Sequence, residues 1–200
     1  MSIAFVQRNK TYFSADFELH HEGDVVGTIH FQSGLDGKYD KWTGDIMGHQ
    51  IILWRSRDHD SYGSQKTYRI LVDKCVTGQI SQTKHDSCSC RKIDFDGRQY
   101  IGYVVCPSEK EYVQCLFWDR LQVAEIEKEQ EGSTKDYGAV IVALDEMSAF
   151  VTCLLACYDF SISYFVSENA REAMRAEMEV RGKKAQEIYR PNFKFVCDKV

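Results

Sequence analysis

Apolar and polar side chains alternate in short runs over most of residues 11–129, and clusters of polar turn residues separate the runs. A period of two is the signature of half-buried strands. Residues 11–20 and 25–31 predict a hairpin around His20, His21, Glu22, Gly23 and Asp24, with Gly23 free to take positive φ and the two histidines exposed at the turn. Residues 67–73 and 76–82 predict a second pair. Residues 93–95 and 100–105 predict a third around Asp96-Gly97, and residues 111–118 and 121–129 a fourth. Residues 46–55 read as one strand. Residues 33–45, rich in Gly, Asp and Lys, read as a loop anchored by Trp42, and residues 84–92 as a polar segment. The pattern amounts to about nine or ten short strands before residue 137.

From there the pattern changes. Residues 137–144 are aliphatic enough for a buried strand, with Val140, Ile141 and Val142 supplying bulk. Asp145 can cap a helix that follows, and Glu146 suits its positive end. Met147, Phe150, Val151, Leu154, Leu155 and Tyr158 recur at helical spacing, while Ala149, Thr152, Cys153, Ala156 and Cys157 leave no water-seeking face. Such a helix is buried on all sides. Asp145, Glu146 and Asp159 cut the stretch below the ~20 apolar residues of a membrane span, which favours a helix sheathed by β-structure and leaves membrane contact as the alternative. A helix that fills the interior with Phe150, Leu154 and Leu155 also argues against a ligand-carrying lumen.

Residues 168–189 predict a second helix of another kind. Asn169 and Glu172 fit a capping box, Ala170, Met174 and Met178 form a thin apolar stripe, and Arg175, Glu179 and Lys183 pair at spacings of four. This is an amphipathic surface helix, ended by Pro191, with Phe193 and Phe195 expected to pin the tail to the body. The organisation is therefore a barrel unit at 1–166, and a C-terminal helix and tail at 167–200 packed on the same domain.

The strand-turn-strand units repeat. Phe17-Glu18-Leu19 leads to Val25-Val26-Gly27-Thr28-Ile29 as Tyr68-Arg69-Ile70 leads to Val76-Thr77-Gly78-Gln79-Ile80, and residues 122–128 run through Asp136-Tyr137-Gly138 into the apolar helix. This pattern, over residues 3–165, resembles the tubby C-terminal-like superfamily, which includes the phospholipid scramblases and LURP-one-related proteins. The resemblance implies a mainly β fold with α: an antiparallel barrel of about twelve strands around a central hydrophobic C-terminal helix. The helix from residue 168 onward is an addition to that plan.

Composition narrows the function. A net charge of −5 over 200 residues gives no general field for nucleic acid. The first ten residues lack the apolar core of a signal peptide, so the eight cysteines read as reduced thiols of a cytoplasmic protein. No nucleophile elbow, phosphate-binding loop, dinucleotide fingerprint or zinc-protease motif occurs, and the acids Asp58 and Asp60 beside His59 lie in a polar link. The expectation is a non-enzyme with no cofactor. His85, Cys88 and Cys90, joined by Cys75, Cys106 or Cys115, are the best zinc candidates, but the Cys-x-Cys spacing is too tight for the usual structural site and no metal is assigned. The scramblase branch is associated with calcium, yet Asp145, Glu146 and Asp159 do not have EF-hand spacing, and that activity is not carried over.

The tubby branch implies phosphoinositide binding, for which Arg55, Arg57, Lys66, Arg69, Lys74, Arg91, Lys92 and Arg98 would have to converge. The leading expectation is thus a cytoplasmic, peripherally membrane-associated module recognising an anionic phospholipid headgroup. The alternative is a protein-interaction adaptor or self-associating structural protein that uses the Ala170, Met174 and Met178 stripe.

Overall fold

The computed structural model describes residues 1–34, 40–56, 67–85, 88–108, 111–128, 138–163 and 188–197. Its strands are β1 (Ser2–Lys10), β2 (Ser14–His21), β3 (Asp24–Gln32), β4 (Lys41–Ile46), β5 (His49–Arg55), β6 (Thr67–Val72), β7 (Cys75–His85), β8 (Cys88–Phe95), β9 (Arg98–Ser108), β10 (Glu111–Trp118), β11 (Leu121–Lys128) and β12 (Gly138–Ala143). Each pairs antiparallel with its neighbour in sequence, and β1 pairs with β12, with Ile3 opposite Ile141 and Phe5 opposite Ala139. The result is a closed twelve-stranded barrel with no edge strand exposed. Helix α1 (Glu146–Ser163) fills it, and the short helix α2 (Phe193–Cys197) lies outside against β12.

A mainly β fold with a barrel around one hydrophobic helix is what the resemblance implied, while the expected second helix at 168–189 lies, up to residue 187, outside the described residues. Helix α1 is buried on every face, from Ala149 through Tyr158, in one cluster with the inward residues of the strands. Asp145 caps it as predicted, its carboxylate accepting the Ser148 N–H at 2.7 Å. Phe160, near its far end, meets Phe17, Phe31 and Trp42 edge-on with centroids 4.9–5.5 Å apart. Among the described residues no helix is long and apolar enough to cross a membrane.

Several strand boundaries differ from the sequence reading. Residues 2–10 are a full strand whose Ile3 and Phe5 point into the core. The expected loop at 33–45 contains β4, and Trp42 is a fully buried wall residue. Gly44 hid that strand by lowering its apparent propensity. Its missing side chain is required there, because a Cβ would run into the Thr28 carbonyl of β3. Residues 46–55 form β5 and the end of β4, split by a turn at Met47-Gly48 with φ of 54° and 83°. Finally, β7 and β8 extend into the expected polar segment until His85 faces Cys88.

One end of the barrel is built from five two-residue turns, at 22–23, 47–48, 73–74, 96–97 and 119–120, every residue of which has positive φ. That geometry matches the twist of paired strands. The repeat seen in the sequence has a structural meaning. Leu19 faces Gly27 and Ile70 faces Gly78, and in both hairpins the register then slips by one residue before the turn. In β10–β11 Leu116 faces Ala124 at the corresponding place, followed by the same slip. The intervening hairpins β4–β5 and β8–β9 run to their turns unbulged. Bulged and plain hairpins therefore alternate around the wall. The sixth position, between β12 and β1, has no turn: here the chain leaves β12 and enters the barrel as α1.

Candidate functional site

At the end of the barrel reached by the C-terminal turns of α1, polar side chains converge on the helix. Strand β8 alternates so that Ile93 and Phe95 point inward, and Arg91 shares their phase. Its Nε donates to Asp159 Oδ1 of α1 at 2.8 Å, Gln114 of β10 donates to the other carboxylate oxygen, and the guanidinium lies 5.7 Å from the Tyr158 ring centre. Burial works against the charged guanidinium, but Asp159 together with Tyr158 and Cys90 offsets it and holds the Arg91 pKa above its ordinary value. Across the same mouth, buried Asp40 accepts hydrogen bonds from Ser33 at 2.5 Å and Tyr68 at 2.8 Å, and Trp42 donates to Ser161 of α1 at 2.6 Å. Burial, then Asp40, pushes the Tyr68 phenol well up; burial does the same to Tyr158 against the pull of Arg91 and Arg55. These groups hold one another, and what they do chemically is fix the depth and rotation of the helix.

Arg91 is thus a correction to the lipid-binding set: its strand phase turns it into the core, where a headgroup has no access. Arg55 shares the inward phase of Ile51 and Leu53 in β5 and is partly buried. Arg69 is exposed on the outer wall of β6, and Lys92, on the outer wall of β8, is paired with Asp94 at 3.2 Å. Lys74 and Arg98 lie at the turn end, where Arg98 stacks 4.9 Å from the Trp118 ring centre. The described members of the set are therefore distributed over the interior, the wall and the turn end. Arg57 and Lys66 lie outside the described residues, as do Asp58, His59, Asp60 and the stripe of Ala170, Met174 and Met178.

Among the described residues no group of three His, Cys, Asp or Glu side chains is placed to hold a metal ion. The side chains of His85, Cys88 and Cys106 are outside that set. His20 and His21 precede the turn and are half-buried; His20 contacts Glu18 at 3.0 Å and His21 contacts the Ser2 carbonyl at 2.7 Å.

The outer wall of β9–β12 carries a second apolar surface, and the tail covers part of it. Ile188 and Tyr189 pack on Val105, Val113, Cys115 and Phe117, and buried Phe193 packs with Cys197 on Val142. Arg190 donates its N–H to Gln122 at 2.8 Å, and Lys194 pairs with Glu127. The expected pinning is met by Phe193, and the side chain of Phe195 lies outside the described residues. Glu125 sits among these groups, 3% exposed, and burial, reinforced by Glu127 and opposed by Lys194 and Gln122, pushes its pKa up to about 6.

A folded pKa above the ordinary 4.5 means that the folded state holds the proton more tightly. The contribution of Glu125 is therefore most favourable below pH 4.5 and is lost as pH rises through about 6. Glu125→Gln should raise stability at pH 7.5 by about 1–2 kcal/mol and leave it nearly unchanged at pH 4. Urea unfolding at the two pH values checks this, and equal effects at both would contradict it.

The turn end differs in character. Val25, Val76, Trp118, Leu121 and Met147 are all exposed there, Val76 by 66%, among acids that include Glu22, Asp24, Asp73 and Glu146. The hairpin tips are tied together: Asp73 accepts from Gln50 N at 3.0 Å and contacts His49 at 2.8 Å, which holds its carboxyl below the usual range. Beside them an open cleft of about 550 Å³ lies between the β2–β3 tip, the β4–β5 tip and the start of α1. Sequence reading missed this end because its apolar residues are scattered singly along the chain and meet only when the barrel closes.

In comparisons with known proteins, no family model, no curated protein and no solved structure matches the chain.

Proposed function

We propose that the chain is a non-enzymatic binding module of the cytoplasm that engages a protein partner through the turn end of its barrel. The observation that carries this reading is the distribution of exposed apolar side chains. Of the seven large ones among the described residues, five are on the turn end, four of them at tight hairpins and Met147 in the first turn of α1, among charged residues. Rigid apolar anchors with a polar surround are what a protein interface uses. The proposal also places the chain in the tubby C-terminal-like group, supported by the twelve strands around a hydrophobic helix and by the repeated hairpin with its in-strand glycine. Buried thiols at Cys153 and Cys157 support a reducing compartment.

The test is a photo-crosslinking side chain placed at Val76 or Leu121 in the full chain expressed in cells, with Arg69 on the side wall as control. A discrete protein adduct from the turn end and none from the wall is expected. Equal adducts from both, or none from either, would reject the reading. Salt-sensitive co-sedimentation with phosphoinositide vesicles, absent with neutral ones, would replace it with anionic-headgroup binding.

A further inference from the structure

The cleft at the turn end combines two chemistries in one space. Met1, Val25, Val26 and Met47 give it aliphatic walls, and Asp45 and Glu146 supply carboxylates. Its floor is fixed by backbone, because the Met47 N–H donates to the Val26 carbonyl at 2.7 Å. The cleft is open to solvent, and a Cβ on Gly48 in its lining would meet nothing within 4 Å. At about 550 Å³ it is the size of a small-ligand site and larger than one side chain needs.

Charge decides what fits. Asp45 is held only loosely, by the Gly48 N–H at 3.3 Å and Gln50 at 3.4 Å, and Glu146 is exposed in the first turn of α1. The Met1 amino group, which donates to the Ala143 carbonyl at 2.8 Å, keeps its positive charge in the cleft lining, and His21 contacts the Ser2 carbonyl; the two carboxylates outnumber that one ammonium. A bare metal ion is a poor match, since Asp45 and Glu146 belong to no metal-holding group among the described residues. A long aliphatic stem with a cationic head suits both walls and charges.

We propose that this cleft accepts a lysine or arginine side chain together with a neighbouring aliphatic residue from an extended segment of the partner protein. The inference rests on the reading of the turn end as a protein-binding surface and specifies where on that surface, and by what chemistry, contact is made.

The experiment uses the full chain, isotopically labelled, titrated with acetylated and amidated pentapeptides whose central residue, between two leucines, is arginine, lysine, glutamine or glutamate. The arginine and lysine peptides should shift the amide signals of Val26, Met47 and Gly48, and raising salt from about 50 to 300 mM should weaken binding several-fold. The glutamate peptide should leave those signals in place. Asp45→Asn with Glu146→Gln should weaken the arginine peptide about tenfold, the scale of two exposed ion pairs. Glu146→Gln alone, at an exposed position, should weaken it about threefold and covers the case in which the double variant folds poorly.

Equal shifts from the glutamine and glutamate peptides would overturn the proposal. Shifts confined to Val76 and Leu121 would overturn the cleft while leaving the broader turn-end reading in place. Silence from all four peptides would also overturn it, and the crosslinking result would then decide the broader reading separately.

Discussion

Arg91→Met should destabilise the barrel by about 3–5 kcal/mol, because it removes the cation and leaves Asp159 charged in the core. The two side chains are 10% and 9% exposed, so water cannot replace the lost partner. For a domain of this size the loss corresponds to a fall in unfolding temperature of roughly 6–20 °C. The pair itself need not be stabilising relative to an apolar alternative. Arg91→Met combined with Asp159→Leu should therefore recover most of the loss. Thermal unfolding of the two single variants and the double completes a mutant cycle. Purely additive losses would show that Arg91 and Asp159 do not act as a pair.

Leu154→Ala should cost about 2–5 kcal/mol, the range for a large-to-small change whose surroundings only partly collapse. Leu154 is fully buried in the middle of α1, and the strands around it are hydrogen-bonded on both sides and cannot close in independently. Met147→Ala, on the same helix but exposed, should change stability by less than about 0.5 kcal/mol. Chemical denaturation separates the two cases, and equal effects would mean that the helix is not the core of the barrel.

The features legible in the sequence were those written into neighbouring residues. Gly23 and Asp96-Gly97 announced their turns, Asp145 its cap, and the lack of a wet face over residues 147–158 the burial of the helix. The features that were not legible depend on partners far along the chain. Trp42 and Gly44 look like loop residues until β3 lies beside them, and Arg91 looks like a surface cation until the inward phase of β8 is known. A signal for that pair was present: Asp159 is a charge on a helix with no wet face, so a strand had to supply its cation. The turn-end cleft had no comparable signal. Its walls come from residues 1, 25, 26 and 47 and its charges from residues 45 and 146, which only closure brings together.

The seam between β1 and β12 makes the timing of synthesis matter. Ser2 is paired with Val142, so the first strand leaves the ribosome about 140 residues before its partner. At ordinary elongation rates of roughly 5–20 residues per second it waits on the order of 10–30 s. During that interval the growing sheet has a free edge at each side, and its apolar inner face has no helix to cover. Residues 138–163 supply both the closing strand and the interior filling, so the nascent chain is exposed to edge pairing until they have emerged. Shortening that interval or shielding the edge of β1 would be expected to affect the yield of folded protein more than its final stability.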